Sequence, residues 1–120
     1  MRLRADSARI AASRRWASQA AEREGASPHA VRVIELLVTE AVTNAVIHGR
    51  RGGEVVVELE AFDGVIQVSV IDGSNAEPVL RAAPPGATGG QGVMLIDHLS
   101  SRWGVVQNPK GKTVWFEVPR

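Results

Sequence analysis

VIELLVTEAVTNAVIH, residues Val33 to His48, sets three polar side chains four residues apart: Glu40, Asn44 and His48. A helix turns about 100° per residue, so these three share an arc of about 80°. Val33, Leu36, Leu37, Ala41 and Ile47 lie within or beside the same arc, whereas Arg32, Glu35, Thr39 and Thr43 take the opposite side. The polar row is therefore expected on the buried side of the helix, where an unpaired carboxylate or amide is costly. Two readings follow: Glu40 and Asn44 satisfy backbone groups of a neighbouring element, or they face a ligand. The surrounding sequence bears on the choice.

A chain of 120 residues fits one domain, residues 1–120, with a core but little room for a second. With 44% hydrophobic and 22% charged residues it has ordinary globular usage, which argues against disorder and membrane classes. Fourteen basic and thirteen acidic residues leave a formal net charge of +1, so no global field directs the chain to nucleic acid. No run approaches the roughly 18 apolar residues of a membrane span, and no apolar signal core follows the basic N-terminus. A cytoplasmic location is expected. Cysteine is absent, which removes disulfides and thiolate nucleophiles or metal ligands. His29, His48 and His98 have no metal-ligand spacing.

Residues Ser7 to Glu22 place Ala8, Ala12, Trp16 and Ala20 every four positions, predicting a helix with one weakly apolar face. That face packs on its own domain or against a second copy. Gly25 breaks the pattern; Ser27 and Pro28 then supply an N-cap and a first-turn proline for the second helix, which ends near His48-Gly49. Strands are predicted over Glu54 to Phe62 and Val65 to Asp72, joined by an Asp63-Gly64 hairpin turn. In the second strand Ile66, Val68, Val70 and Asp72 point one way, so a carboxylate ends a core-facing row. From Gly73 to Gly92, five glycines and three prolines interrupt any period; so long a connection reads as a lid, about residues 73–92. A short helix, Val93 to Ser101, follows Gly89-Gly90-Gln91-Gly92, whose glycines could admit a phosphate to its N-terminus. Trp103 to Gln107 and Lys112 to Val118 close the chain as a second hairpin, with Lys112, Val114, Phe116 and Val118 as its core row. The order suggests a sheet covered by helices on one face.

EAVTNAVIHG (Glu40 to Gly49), VIDGS (Val70 to Ser74) and GGQGVMLID (Gly89 to Asp97) resemble the three nucleotide-binding boxes of the ATPase superfamily shared by gyrase, MutL and the histidine kinases. Within it, the small size and the TEAVTNAVIHG wording most resemble the anti-sigma factor serine/threonine kinases. The resemblance implies an α/β fold, more narrowly an α+β two-layer sandwich of the Bergerat ATP-binding type, with a mixed, mainly antiparallel sheet and helices on one face. It implies ATP and Mg²⁺ as cofactors. Asn44 would hold Mg²⁺ through its amide oxygen, Glu40 would be the general base, and Asp72 would accept a hydrogen bond from the adenine amine. Gly90, Gly92 and the adjoining Val93 would hold phosphates. His48, Ser74, Lys112 and Thr113 complete the implied nucleotide-binding set, and Arg81 in the lid is a further candidate for a phosphate or a protein partner. The implied partners are a sigma factor and an anti-anti-sigma protein of the STAS type, with a homodimer by analogy. Direct nucleic-acid and membrane contacts are not implied. A non-catalytic interaction module is the other function class that this sequence fits.

The sequence departs from the family pattern in three places. Ser74 and Ala76 stand where the second box usually has glycines, reducing backbone freedom at the lid hinge. Lys112 follows Gly111 where threonine is common, and alternation sends Lys112, rather than Thr113, to the site side. Val93 replaces a common leucine.

Overall fold

The computed structural model describes residues 1–48, 53–73, 90–108 and 111–120. Its elements are β1 (Arg2–Arg4), a 3-10 turn (Ser7–Arg9), α1 (Ile10–Arg23), α2 (Pro28–His48), β2 (Glu54–Phe62), β3 (Val65–Asp72), α3 (Gly90–Leu99), β4 (Arg102–Asn108) and β5 (Gly111–Pro119). The five strands form one sheet in the order β1-β2-β3-β5-β4. Every neighbouring pair is antiparallel, so the described sheet is purely antiparallel where a mixed one was expected. Such a sheet can keep one face on the core and leave the other to solvent. α2 packs on β3 and β5, and α1 and α3 flank it.

Alternation builds the buried face of the sheet. Val55 and Val57 of β2, Ile66, Val68 and Val70 of β3, and Val114, Phe116 and Val118 of β5 are buried, and the register pairs Val57 with Val70, Val68 with Phe116 and Val70 with Val114. Asp72 and Lys112 end these rows. The two-residue turn that fixes the β2–β3 register has positive φ at both positions, 50° at Asp63 and 78° at Gly64, matching the strand twist. Glu117, expected on the open face, is buried as well; Gln67 donates an Nε2 hydrogen bond of 3.1 Å to it, and Ser101 covers its backbone carbonyl.

The helices begin and end on local signals. Ser27 accepts a 3.0 Å hydrogen bond from the amide of Ala30 and so caps α2. Gly25, at φ 82°, ends α1 with the amides of Gly25 and Ala26 returning to the carbonyls of Glu22 and Ala21, a Schellman closure. Gly49, expected to end α2, lies outside the described residues.

Three helix expectations need correction. The buried line of α1 is Ser13, Ala17, Ala20 and Ala21, not Ala8, Ala12, Trp16 and Ala20. The helix starts after a 3-10 turn, which rotates the stripe, and its small residues let it settle against α2, where Ser18 donates a 2.8 Å hydrogen bond to Glu35. That stripe is spent on the protein's own core. In α2, Leu36 and Ile47 are 40% and 64% exposed; the buried arc is centred on Ile34, Val38, Ala41 and Ala45, so Glu40 lies at its margin rather than within it. Finally, α3 begins at Gly90, three residues earlier than expected, placing Gly90 and Gly92 inside its first turn.

Candidate functional site

The margin of α2 faces the end of the sheet where β3 and β5 close. Asn44 projects between Ala41 and Ala45 towards Val70, Asp72, Lys112 and Val114, and these seven residues line one hollow. The two alanines leave room that larger side chains would fill. Glu40, one turn before Asn44 on α2, is half-buried. Among the described residues neither the Glu40 carboxylate nor the Asn44 amide has a side-chain hydrogen bond or ion pair. Among the described residues no backbone group is seen to pair with these side chains.

The floor is built by strand geometry. Asp72 and Lys112 are register partners on β3 and β5, each only 5% exposed. Neighbouring side chains on one face of a sheet stand about 5 Å apart at Cβ. Next to them Gly111 has φ 151°, and a side chain there would run into the carbonyl oxygen of Asp72. Glycine is what allows β5 to start this close to the end of β3. Sequence reasoning placed Gly111 in the closing hairpin, directly before the site-facing Lys112, but gave it no role of its own.

Of the candidate residues, the structure brings together Asn44, Asp72 and Lys112 around the hollow, with Glu40 one helical turn before Asn44. Thr113 pairs with Ile71 and Val106, on the sheet face turned away from the helices, and does not line the hollow. Gly90, Gly92 and Val93 belong to the start of α3, which packs beside α2; the side chains of residues 90–94 and of His48 lie outside the described residues, as do Ser74, Ala76 and Arg81 entirely.

The donors present fit a magnesium nucleotide. Mg²⁺ is a cation commonly held by one protein oxygen together with phosphates and water. Asn44 offers such an oxygen. Asp72 is a buried carboxylate that lines the same hollow. The hollow is narrow, about 10 Å³, space for about one water.

The whole chain has relatives of known structure. The histidine kinase domain of the blue-light activated kinase from Erythrobacter litoralis EL346 is 25% identical, with a TM-score of 0.61 over 92% of this chain and 60% of that one. The RsbU and RsbW domains of Rv1364c from Mycobacterium tuberculosis match at 22% identity and a TM-score of 0.70, over 99% of this chain and 32% of that one. The mycobacterial sensor histidine kinase MprB matches at 13% identity and a TM-score of 0.56, covering 99% and 97% of the two chains. This chain thus spans less than two thirds of the first two structures, and these likenesses show its fold. No curated protein matches it. No described helix is long and apolar enough to cross a membrane. The model of the histidine kinase-like ATPase domain matches residues 3–118, so the chain belongs to the histidine kinase-like ATPase domain family, whose members generally bind ATP with Mg²⁺.

Proposed function

We propose that this protein is an ATP-dependent serine/threonine protein kinase of the anti-sigma factor type, acting on an anti-anti-sigma partner of the STAS type and binding a sigma factor. The observation that carries the reading is the pair of unpartnered polar side chains on α2: Glu40 with a half-buried carboxylate, and Asn44 one turn later lining the hollow that ends at Asp72. Nucleotide binding alone does not require a carboxylate beside the amide. The fold shared with an RsbW domain adds support. Kinase action, partners, dimer formation and a cytoplasmic setting all belong to this proposal.

In the proposed reaction Asp72 and Asn44 hold the two ends of the nucleotide, Asp72 at the base and Asn44 at the phosphate-bound cation. A bound Mg²⁺ supplies charge neutralisation at the phosphates. The partner's serine hydroxyl oxygen forms a bond to the γ-phosphorus as the bond from that phosphorus to the β-bridging oxygen breaks, releasing ADP. Glu40 takes the hydroxyl proton. The amides at the start of α3, including those of Gly90, Gly92 and Val93, together with Ser74 and His48, complete the proposed phosphate and lid contacts.

The test is phosphoryl transfer from labelled ATP to a STAS partner by Glu40→Gln protein. Loss of a general base lowers the transfer rate by about 10²- to 10⁴-fold, while ATP affinity stays near that of the unmodified protein. Unchanged transfer by the variant refutes the assigned base. One observation favours the alternative of a non-catalytic interaction module: the narrowness of the hollow, floored by a lysine at 5% exposure. Magnesium-dependent ATP binding without any transfer to a STAS partner would select that alternative.

A further inference from the structure

The face of the sheet turned away from the helices carries a pattern that the cleft does not explain. Strand register lays its side chains in rows across β2, β3, β5 and β4: Val56, Ile71, Thr113 and Val106 in one, Glu58, Ser69, Trp115 and Gly104 in the next, Glu60, Gln67, Glu117 and Arg102 in the third. The first row is apolar but for one threonine and ends at Val106, 53% exposed. On the β4 side the indole of Trp115 lies over Gly104, where a Cβ would come within 2.8 Å of the ring. The guanidinium of Arg102, on a side chain 73% exposed, stands 5.8 Å from the centroid of that ring. The β2 side has instead a hollow of about 260 Å³ lined by Glu58, Leu59, Glu60, Gln67 and Ser69, with both glutamates exposed. A cationic, aromatic projection and an acidic hollow thus lie on opposite sides of the line between β3 and β5.

We propose that this face is the interface of a two-fold dimer, covered by a second copy of this chain. A two-fold axis along that line, in the plane of contact, lays β2 of one copy over β4 of its partner and β3 over β5. Each row then meets itself reversed. Glu60 faces the partner's Arg102, the Trp115–Arg102 projection meets the partner's acidic hollow, and the apolar row covers its own copy. Such self-complementarity is what an isologous contact demands, because every contact occurs twice. Sheets packed face to face keep their strands within about 30° of each other, which suits this matching of rows. Charge also selects this arrangement over the other two-fold one: an axis across the strands would stack β2 on β2 and set the glutamates of the two copies against each other. The helices and the cleft stay uncovered, so the inference gives the proposed dimer a face and stands whether or not the cleft takes ATP.

The experiment is sedimentation velocity over a concentration series, without nucleotide, on the unmodified protein, on Glu60→Arg, on Arg102→Glu and on an equimolar mixture of the two variants. The unmodified protein is expected to dimerise. Each charge reversal acts twice per dimer and should raise the dissociation constant by about tenfold or more. The mixture should recover association, because in the mixed dimer each substituted position again meets an opposite charge. A protein that stays monomeric at every concentration leaves the face to a different partner and overturns the proposal. A dimer that neither reversal weakens has its interface elsewhere and overturns it too, as do two weakened variants whose mixture recovers nothing. Arg102 lies 4.0 Å from the buried Glu117, so Arg102→Glu could fail to fold. Val106→Glu, at an exposed position in the apolar row, then serves in its place: it should dissociate the dimer, and a dimer of unchanged affinity overturns the proposal.

Discussion

Gly111 starts β5 so close to Asp72 that any side chain at position 111 would meet the Asp72 carbonyl oxygen. The obstacle is backbone, which cannot rotate away, and the φ of 151° is itself unfavourable for a residue with a Cβ. Gly111→Ala is expected to force β5 away from β3 at the floor of the site. Thermal denaturation should show a loss of about 2 kcal/mol or more, and ATP affinity should fall further than stability alone explains.

Base selection gives a second prediction. Guanine carries an acceptor where adenine carries its amine, so under the proposed role of Asp72 its carboxylate disfavours guanine. Asp72→Asn introduces a donor at nearly the same shape. Competition binding should show a preference for ATP over GTP in the unmodified protein that narrows by about tenfold or more in the variant, in line with the weight of a single buried polar contact.

The caps of the helical layer offer a third. Ser27→Ala removes the acceptor for the Ala30 amide and should lower stability by about 1 kcal/mol, read as a shift of the urea midpoint at unchanged slope. Gly25→Ala places a Cβ at φ 82° and should cost about 1 kcal/mol. Because the two sites flank one short connection between α1 and α2, their effects are expected to be coupled rather than additive.

Phe116, the largest fully buried side chain among the described residues, sits in the row that ends at Lys112. Phe116→Ala should lower stability by about 3–5 kcal/mol through lost burial and an unfilled cavity. The denaturant midpoint measures this, and a loss below about 1 kcal/mol would mean that the core is not organised around β5 as described.

Much of this architecture was legible because period and turn chemistry agreed. β2 and β3 have the bounds read from alternation around Asp63-Gly64, and Ser27-Pro28 announced α2. β1 escaped because Arg2-Leu3-Arg4 is too short to show a period; it is fixed by non-local pairing to β2 and by an Arg2–Glu54 ion pair of 2.6 Å. The face of α1 was misjudged because alanines alone carry little directional signal, and the 3-10 turn ahead of it shifts the phase. On α2 the spacing of Glu40 and Asn44 was enough to put them on one face, but the margin they occupy depends on how the helix is rolled on the sheet. Periodicity does not contain that roll. At the site, alternation correctly sent Lys112 rather than Thr113 inward, whereas the closeness of Gly111 to Asp72 is a property of the assembled sheet.

The central claim is that Asn44, with Glu40 one turn before it, faces a magnesium nucleotide whose base end is Asp72. Titration calorimetry of ATP with and without Mg²⁺, on the unmodified protein and on Asn44→Ala, tests it most directly. The account predicts binding that strengthens with Mg²⁺ in the unmodified protein, and a variant of unchanged fold that has lost that dependence and about tenfold or more in affinity. Magnesium-independent binding, or an Asn44→Ala protein with the full magnesium effect, would contradict it.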